Sequence, residues 1–398
     1  MLPYALVTCM LNTVIAIGAA HALYLTLLVL VKKNKGWPEY ILAAYLATLA
    51  ITFSATFFAL AYELPDLMAF QLNISLLLAP LFFIYIRSLT QTREQRPYIL
   101  LLHLGPYLIT WVYWLYLFTV HTEYELYVLF SETPDAELPL LFVLALLLDT
   151  LAIPVYAGWS LWVLRKHKRT ISNAFSYTEG IDLKWAKVLV YSAGVLWLGI
   201  AVPESFRTDL AWDVDERSLQ IGYAVATLFI FYLGYFGLKQ GHIITWQPNA
   251  ASSLARPQPD DEPEPVTKYL KSGLKEEEAQ VHTETLIHYV TTEKPYVQSR
   301  LSLQDLAQAL DMPVRHLSQV INEHLDQTFY DFVNRYRVEE FKKRIVDPRY
   351  KNYTVLSIAL DCGFNSKSSF NRIFKKVEGC TPTEYLRANS AWPMASGQ

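Results

Sequence analysis

Seven stretches of mainly apolar residues, each near the roughly 20-residue length that crosses a bilayer, fill the first 241 positions. They run over residues 11–31, 41–62, 68–89, 98–118, 138–164, 186–203 and 219–238. A backbone in lipid must satisfy its own hydrogen bonds, so runs of this length are expected to be helices. Charge follows the same division. Up to Gly241, 32 of 241 residues are charged, about 13%; beyond it 39 of 157 are, about 25%, the content of an ordinary soluble domain. The overall figures of 53% hydrophobic, 18% charged and net charge −3 therefore average two unlike parts. They exclude a disordered chain and a soluble enzyme of average make-up.

The loops between these stretches orient them. Lys32, Lys33, Lys35, Arg87, Arg93, Arg96, Arg165, Lys166, Lys168, Arg169, Lys184 and Lys187 fall in one alternating set. The other set holds Arg207 and Arg217 among acids such as Glu123, Glu125, Asp209 and Asp213. The positive-inside rule places the first set in the cytoplasm. The N-terminus is then outside, and everything past Lys239 is cytoplasmic. Trp37, Trp111, Trp114, Trp159, Trp162 and Trp185 fall near span ends, where interfacial anchors belong. The expected location is a bacterial inner membrane.

Polar interruptions are few: His21, Asn73, His103 and Asp149, with Pro80, Pro106 and Pro154 as expected kinks. An ionisable residue at membrane depth is a functional-site hypothesis by default, and Asp149 is the candidate sensor. Its alternative role is an interhelical hydrogen bond. No ladder of acids crosses the bundle, and no nucleophile elbow or HExxH motif is present. These gaps weigh against the rival reading, a transporter or membrane enzyme with a regulatory cytoplasmic appendage. No catalytic residue, metal ligand set or cofactor is assigned. Cys9, Cys362 and Cys380 are far apart and are expected to be isolated buried thiols.

A Pro-, Ser- and acid-rich stretch over 247–266 reads as a linker. A helix is expected over 275–292, with Ala279, Leu286 and Val290 as a thin apolar stripe that either packs on the next domain or forms a dimer seam.

The final segment carries two copies of one pattern. Ser302 and Asp305 form the frame of a capping box, and Leu303, Leu306, Ala307 and Leu310 follow at helical spacing. Pro313 opens a second helix with Leu317, Val320 and Ile321 inward and Arg315, Ser318, Gln319 and Asn322 outward. The pattern recurs about 52 residues on: Val355, Ile358, Ala359 and Cys362, a turn at Gly363, then Ser366 as cap and Phe370, Ile373, Phe374 and Val377 as inner face. A long helix over 330–345 joins the copies, and Thr381–Glu384 form a further capping box. Two helix-turn-helix units at this spacing, with eleven basic residues from Arg335 to Lys376, point to phosphate and base-pair contacts.

The run from Gly363 through Ser366, Phe370, Arg372, Phe374 and Lys376, followed by Gly379 and Thr381-Pro382-Thr383-Glu384-Tyr385-Leu386-Arg387, resembles the signature of AraC/XylS-type transcription regulators. The stretches 268–274 and 293–296 resemble a subgroup that carries this domain behind a multi-helix membrane region. Leu386, between Tyr385 and Arg387, departs from the usual pattern. The resemblance implies that Arg315, Ser318 and Gln319 of the first unit and Lys367, Ser368, Asn371 and Arg372 of the second face base edges, while Lys375 and Lys376 hold phosphates. It implies double-stranded DNA as partner, beside the lipid bilayer, a second copy in a homodimer, and an unknown small-molecule or membrane signal.

The expected fold class is all-α: a seven-transmembrane helix bundle followed by a cytoplasmic tandem helix-turn-helix. Its expected parts are 1–241 for the bundle, 242–273 for the linker, 274–300 for a connecting helix and 301–390 for the DNA-binding domain. The expected function is a membrane-embedded regulator that couples a signal to promoter binding.

Overall fold

The computed structural model of the chain describes residues 2–33, 35–62, 64, 67, 70–71, 74–90, 102–120, 140–205, 216–239, 274 and 276–388. Every extended regular element among them is helical. Phe175 and Ser302 make an isolated antiparallel bridge. The chain divides into two compact units, one of Met1–Arg165 with Leu183–Thr245, the other of Lys166–Asp182 with Trp246–Gln398.

The first unit holds α1 (Leu2–Val31), α2 (Trp37–Tyr62), α3 (Leu78–Thr90), α4 (Gly105–Val120), most of α5 (Leu140–Ala174), α6 (Lys184–Ser205) and α7 (Glu216–Lys239). A helix thus falls in each of the seven expected spans. Among the described residues, Met10–Val31, Trp37–Tyr62 and Ile221–Leu238 are long and apolar enough to cross a membrane, and Leu78–Thr90 is apolar but shorter. Residues 91–101, 121–139 and 206–215, which border the remaining helices, lie outside the described residues.

Packing here relies on close helix approach. α1 lies against α2 and α7, with Ile15, Leu46, Ile230 and Leu233 fully buried. A Cβ at Gly234 would overlap the Leu25 side chain, and one at Gly237 would stand 2.5 Å from Leu42. Small residues at helix contacts let the backbones approach closely and add dispersion contacts. On α1 and α2, Thr26, Thr48, Thr52 and Thr56 donate to the carbonyl four residues earlier at 2.8–2.9 Å, so these hydroxyls need no outside partner. His21 stacks on Phe231 with ring centroids 3.6 Å apart, and His103 Nδ1 lies 3.3 Å from the Tyr156 hydroxyl. Asn73 and the side chains of Asp149 and Cys9 lie outside the described residues.

The second unit contains α8 (Glu276–Glu293), α9 (Leu303–Ala309), α10 (Val314–Gln319), α11 (Phe329–Ile345), α12 (Val355–Asp361), α13 (Lys367–Glu378) and α14 (Pro382–Ala388). Two hydrophobic clusters organise it. α9, α10 and the N-terminal half of α11 enclose the first, in which Leu306, Ala307, Leu317 and Val320 are 1% exposed or less. α12, α13 and the C-terminal half of α11 enclose the second, around Phe341, Ile358, Phe370 and Phe374. Burying each such aliphatic or aromatic side chain contributes about 1.5–3 kcal/mol. Leu286 and Val290 of α8 belong to the first cluster, so the apolar stripe packs on the domain that follows it. The expected linker over 247–266 lies outside the described residues.

Candidate nucleic-acid interface

The two helix-turn-helix units form as their sequences dictate. The Ser302 hydroxyl accepts from the Asp305 amide at 3.1 Å while Asp305 accepts from the Ser302 amide at 2.9 Å, a complete capping box at the start of α9. In the second unit the Thr354 hydroxyl accepts from the Ser357 amide and the Ser366 hydroxyl from the Ser369 amide, both at 3.1 Å. The first turn spans 310–313 and the second 362–366, one residue longer, as the repeat offset predicts. Gly363 turns at φ 95°, a left-handed conformation that L side chains rarely adopt. The expected box at Thr381 also forms, with Glu384 accepting from the Thr381 amide at 2.7 Å.

α13 presents a continuous polar face. Lys367, Asn371 and Lys375 make one i, i+4 row and Ser368, Arg372 and Lys376 the next, and all six are exposed. Phe370, Ile373 and Phe374 line the opposite side and are at most 3% exposed. Two of the six side chains are held by α11. Arg372 Nη2 donates to the Tyr330 hydroxyl at 2.8 Å, and Lys376 Nζ lies 2.6 Å from Asp331 Oδ1. The Lys376 pair is largely exposed, so its contribution is small and it can exchange for a phosphate at little cost.

The first unit is built differently. α10 is short, and the chain continues through one π-helical turn over Val320–His324. Such turns re-aim side chains and recur at functional sites. Arg315 is exposed, whereas Ser318 and Gln319 are half-buried. The Ser318 carbonyl and hydroxyl accept from Asn322 Nδ2 at 2.8 and 3.1 Å. Gln319 donates to Glu323 at 2.8 Å and accepts from the Leu274 amide at 3.4 Å. So a base contact by Gln319 requires that these bonds be exchanged.

Three sequence expectations need correction. Val377 is 38% exposed rather than inward, because the inner face ends where α13 runs out at Gly379. The basic run from Arg335 to Lys376 is not one exposed stripe. Arg337 is 1% exposed, Lys342 pairs with Glu339 and Glu378 at 3.0 Å, and Arg344 pairs with Glu340 at 2.9 Å. These cations serve the fold, because α11 is the central helix and most of its faces are covered. Cys362 is buried as expected, but Cys380 is partly exposed. The orienting roles of Tyr330 and Asp331 carry no sequence signal, since both belong to a helix assigned only to packing.

The Glu340 carboxylate is 5% exposed and collects Lys294 at 3.1 Å, the Tyr296 hydroxyl at 3.2 Å and Arg344. Burial opposes its ionisation, but the bonds from Arg344 and Lys294 outweigh burial and hold it below the usual carboxylate value. Among the described residues, no group of three or more His, Cys, Asp or Glu is placed to hold a metal ion.

A family model described as a helix-turn-helix domain matches residues 306–388, from within α9 to the end of α14. The C-terminal segment is an AraC-type helix-turn-helix domain. Proteins similar to part of this chain are named as transcription regulators. An uncharacterized HTH-type transcriptional regulator of Staphylococcus aureus (strain COL) is 38% identical over 85 residues, 21% of this chain and 11% of that protein. The transcriptional regulatory protein HptR of Staphylococcus aureus (strain NCTC 8325 / PS 47) is 29% identical over 94 residues, 24% of this chain and 36% of that protein. The match thus spans from about a tenth to about a third of the length of these curated relatives. No solved structure matches the chain.

Proposed function

We propose that the chain is a membrane-embedded, sequence-specific DNA-binding transcription regulator, in which a signal received by a seven-helix bundle biases promoter binding by the cytoplasmic AraC-type domain. The exposed polar face of α13, repeated in weaker form on α10, is the observation that carries the DNA-binding part. Two such helices in one chain suit successive major-groove segments about one helical turn, roughly 34 Å, apart. Arg315, Ser318, Gln319, Lys367, Ser368, Asn371 and Arg372 are the proposed base readers, and Lys375 and Lys376 the phosphate contacts. Arg and Lys suit guanine and Asn suits adenine.

The membrane part of the proposal is supported by side chains that water would not tolerate. Leu108, Ile109, Leu115, Val195 and Leu228 are 59% or more exposed on apolar helices of the first unit. Broad apolar faces of this kind mark contact with lipid or another apolar surface. With the loop charges this supports a multi-pass protein of the bacterial inner membrane with its N-terminus outside; a homodimer is part of the same proposal. Asp149 is the proposed sensor, and its ligand is a small molecule or a property of the membrane.

The test is binding of the full chain, in lipid nanodiscs, to DNA from upstream of its own gene. Affinity should prefer that sequence over scrambled DNA and fall with added salt, with a log–log slope of about −0.9 per phosphate neutralised. Binding indifferent to sequence would sink the proposal.

A further inference from the structure

Ser176 lies in the segment between α5 and α6, 125 residues before Leu301, yet its amide and hydroxyl both donate to the Leu301 carbonyl, at 3.1 and 2.7 Å. The neighbouring Phe175 bridges Ser302, which is the N-cap of α9. Ile171, Ala174 and Phe175 are buried in a small cluster with Tyr177 and Ile181, and this segment groups with the C-terminal helices in the second compact unit. Ser176 also reaches the centre of that unit through Arg337.

A guanidinium carries five N–H donors, and Arg337 uses all five. Nε donates to the Tyr296 carbonyl at 2.7 Å. Nη1 donates to the Ser176 carbonyl and to Asn334 Oδ1, both at 3.1 Å. Nη2 donates to the Ser176 hydroxyl at 3.1 Å and to the Gln298 carbonyl at 2.7 Å. Asn334 Nδ2 adds a further bond to the Ser176 carbonyl at 3.0 Å. Two of five acceptors for a buried cation therefore come from a residue outside the AraC-type domain. A buried charge with donors left open is strongly disfavoured, so this site is complete only with Ser176 in place.

Arg337 is also the point where the two helix-turn-helix units, both within the second compact unit, meet. It stands on α11, the helix shared by both cores, and its Nε lies 2.9 Å from where a Cβ on Gly363 would be, against the turn of the second unit. Ser176 thus touches the entry to the first helix-turn-helix directly and the turn of the second through one side chain.

We propose that the Phe175–Ser176 turn is an intramolecular brace whose docking on Leu301 and Arg337 holds the two helix-turn-helix units in the arrangement that binds DNA. Both recognition helices must engage successive grooves at once, and holding them in register removes part of the ordering cost of binding. The segment joins α5 to α6, so a signal that moves either helix acts by releasing the brace. This proposal rests on the DNA-binding reading given above.

The test uses the full chain in nanodiscs with its own upstream DNA, comparing wild type with Ser176→Pro, which removes the amide donor and the hydroxyl, and Ser176→Ala, which removes the hydroxyl alone. The expected result is a Kd raised about tenfold by proline and about threefold by alanine. Amide exchange should also quicken at 298–305, with helical content unchanged. If the proline variant loses helix, the alanine variant decides. Affinities equal to or tighter than wild type in a folded variant overturn the brace and leave the DNA-binding reading standing. A wild type that fails to bind overturns that reading itself.

Discussion

Arg372 on the exposed face of α13 is tied to Tyr330 at the start of α11 by a 2.8 Å hydrogen bond, with the guanidinium carbon 5.9 Å from the ring centroid. A residue proposed to read a base is thus aimed in advance by the helix that joins the two units. Replacing Tyr330 with Phe keeps the ring and removes the hydroxyl. DNA affinity should fall about three- to tenfold, in line with one modest hydrogen bond of about 0.5–1.5 kcal/mol. Arg372→Ala should cost about 1–3 kcal/mol and relax discrimination at one base pair. Fluorescence anisotropy against single-substituted sites measures both. Full discrimination by a folded Arg372→Ala protein would reject the contact.

Two glycines with positive φ should respond unequally to alanine. At Gly363 a Cβ would meet the Tyr296 carbonyl at 2.5 Å and the Val297 carbonyl at 2.9 Å, both backbone atoms that cannot step aside. At Gly379, φ 77°, it would meet nothing within 4 Å. Gly379→Ala should therefore cost only the left-handed penalty of about 1–2 kcal/mol. Gly363→Ala adds an overpacking cost of about 1–3 kcal/mol. Thermal melts of the two variants, read side by side, check the order.

Acid should loosen the second unit through Glu340. Its folded carboxyl titrates below the ordinary value of 4.5, because Arg344 and Lys294 outweigh the effect of burial. The stability this contributes is fully present above that unfolded value and is lost as pH falls through the lower folded one. The melting temperature of wild type should drop from pH 5 toward pH 3 more steeply than that of Glu340→Gln. Parallel curves for the two proteins would assign the acid sensitivity elsewhere.

The two C-terminal thiols should differ in reactivity. Burial pushes the Cys362 thiol up to about 12, while Cys380 is partly exposed. At pH 8 the thiolate, which is the reactive form, is then scarce at Cys362. Mass spectrometry after brief iodoacetamide treatment should find Cys380 modified and Cys362 intact until denaturant is added. Equal labelling in the native state would contradict the buried site.

Local chemistry was legible in the sequence of this protein. The capping residues Ser302, Ser366 and Thr381, the left-handed turn at Gly363 and the inward Leu317, Ile358 and Phe374 all follow from spacing, since a helix repeats its faces and its caps within a few residues. The outward Lys367, Ser368, Asn371, Arg372, Lys375 and Lys376 were implied by the family resemblance, and all six are exposed. The apolar runs likewise marked where helices lie, but their ends differ from the observed ones by up to about ten residues, as at Leu2–Val31, Leu78–Thr90 and Leu140–Ala174, because hydropathy does not record where a helix is capped. Tertiary structure decided which polar groups face each other. Arg337 counted as one more cation in a basic stripe, and Ser176 as an unremarked loop residue. Only folding brings the two together across 161 positions, because a buried guanidinium must find five acceptors and takes them wherever the chain passes. Periodicity records what a residue turns toward, inside or outside. The partner it meets there is set by long-range packing, which leaves no repeat in the sequence.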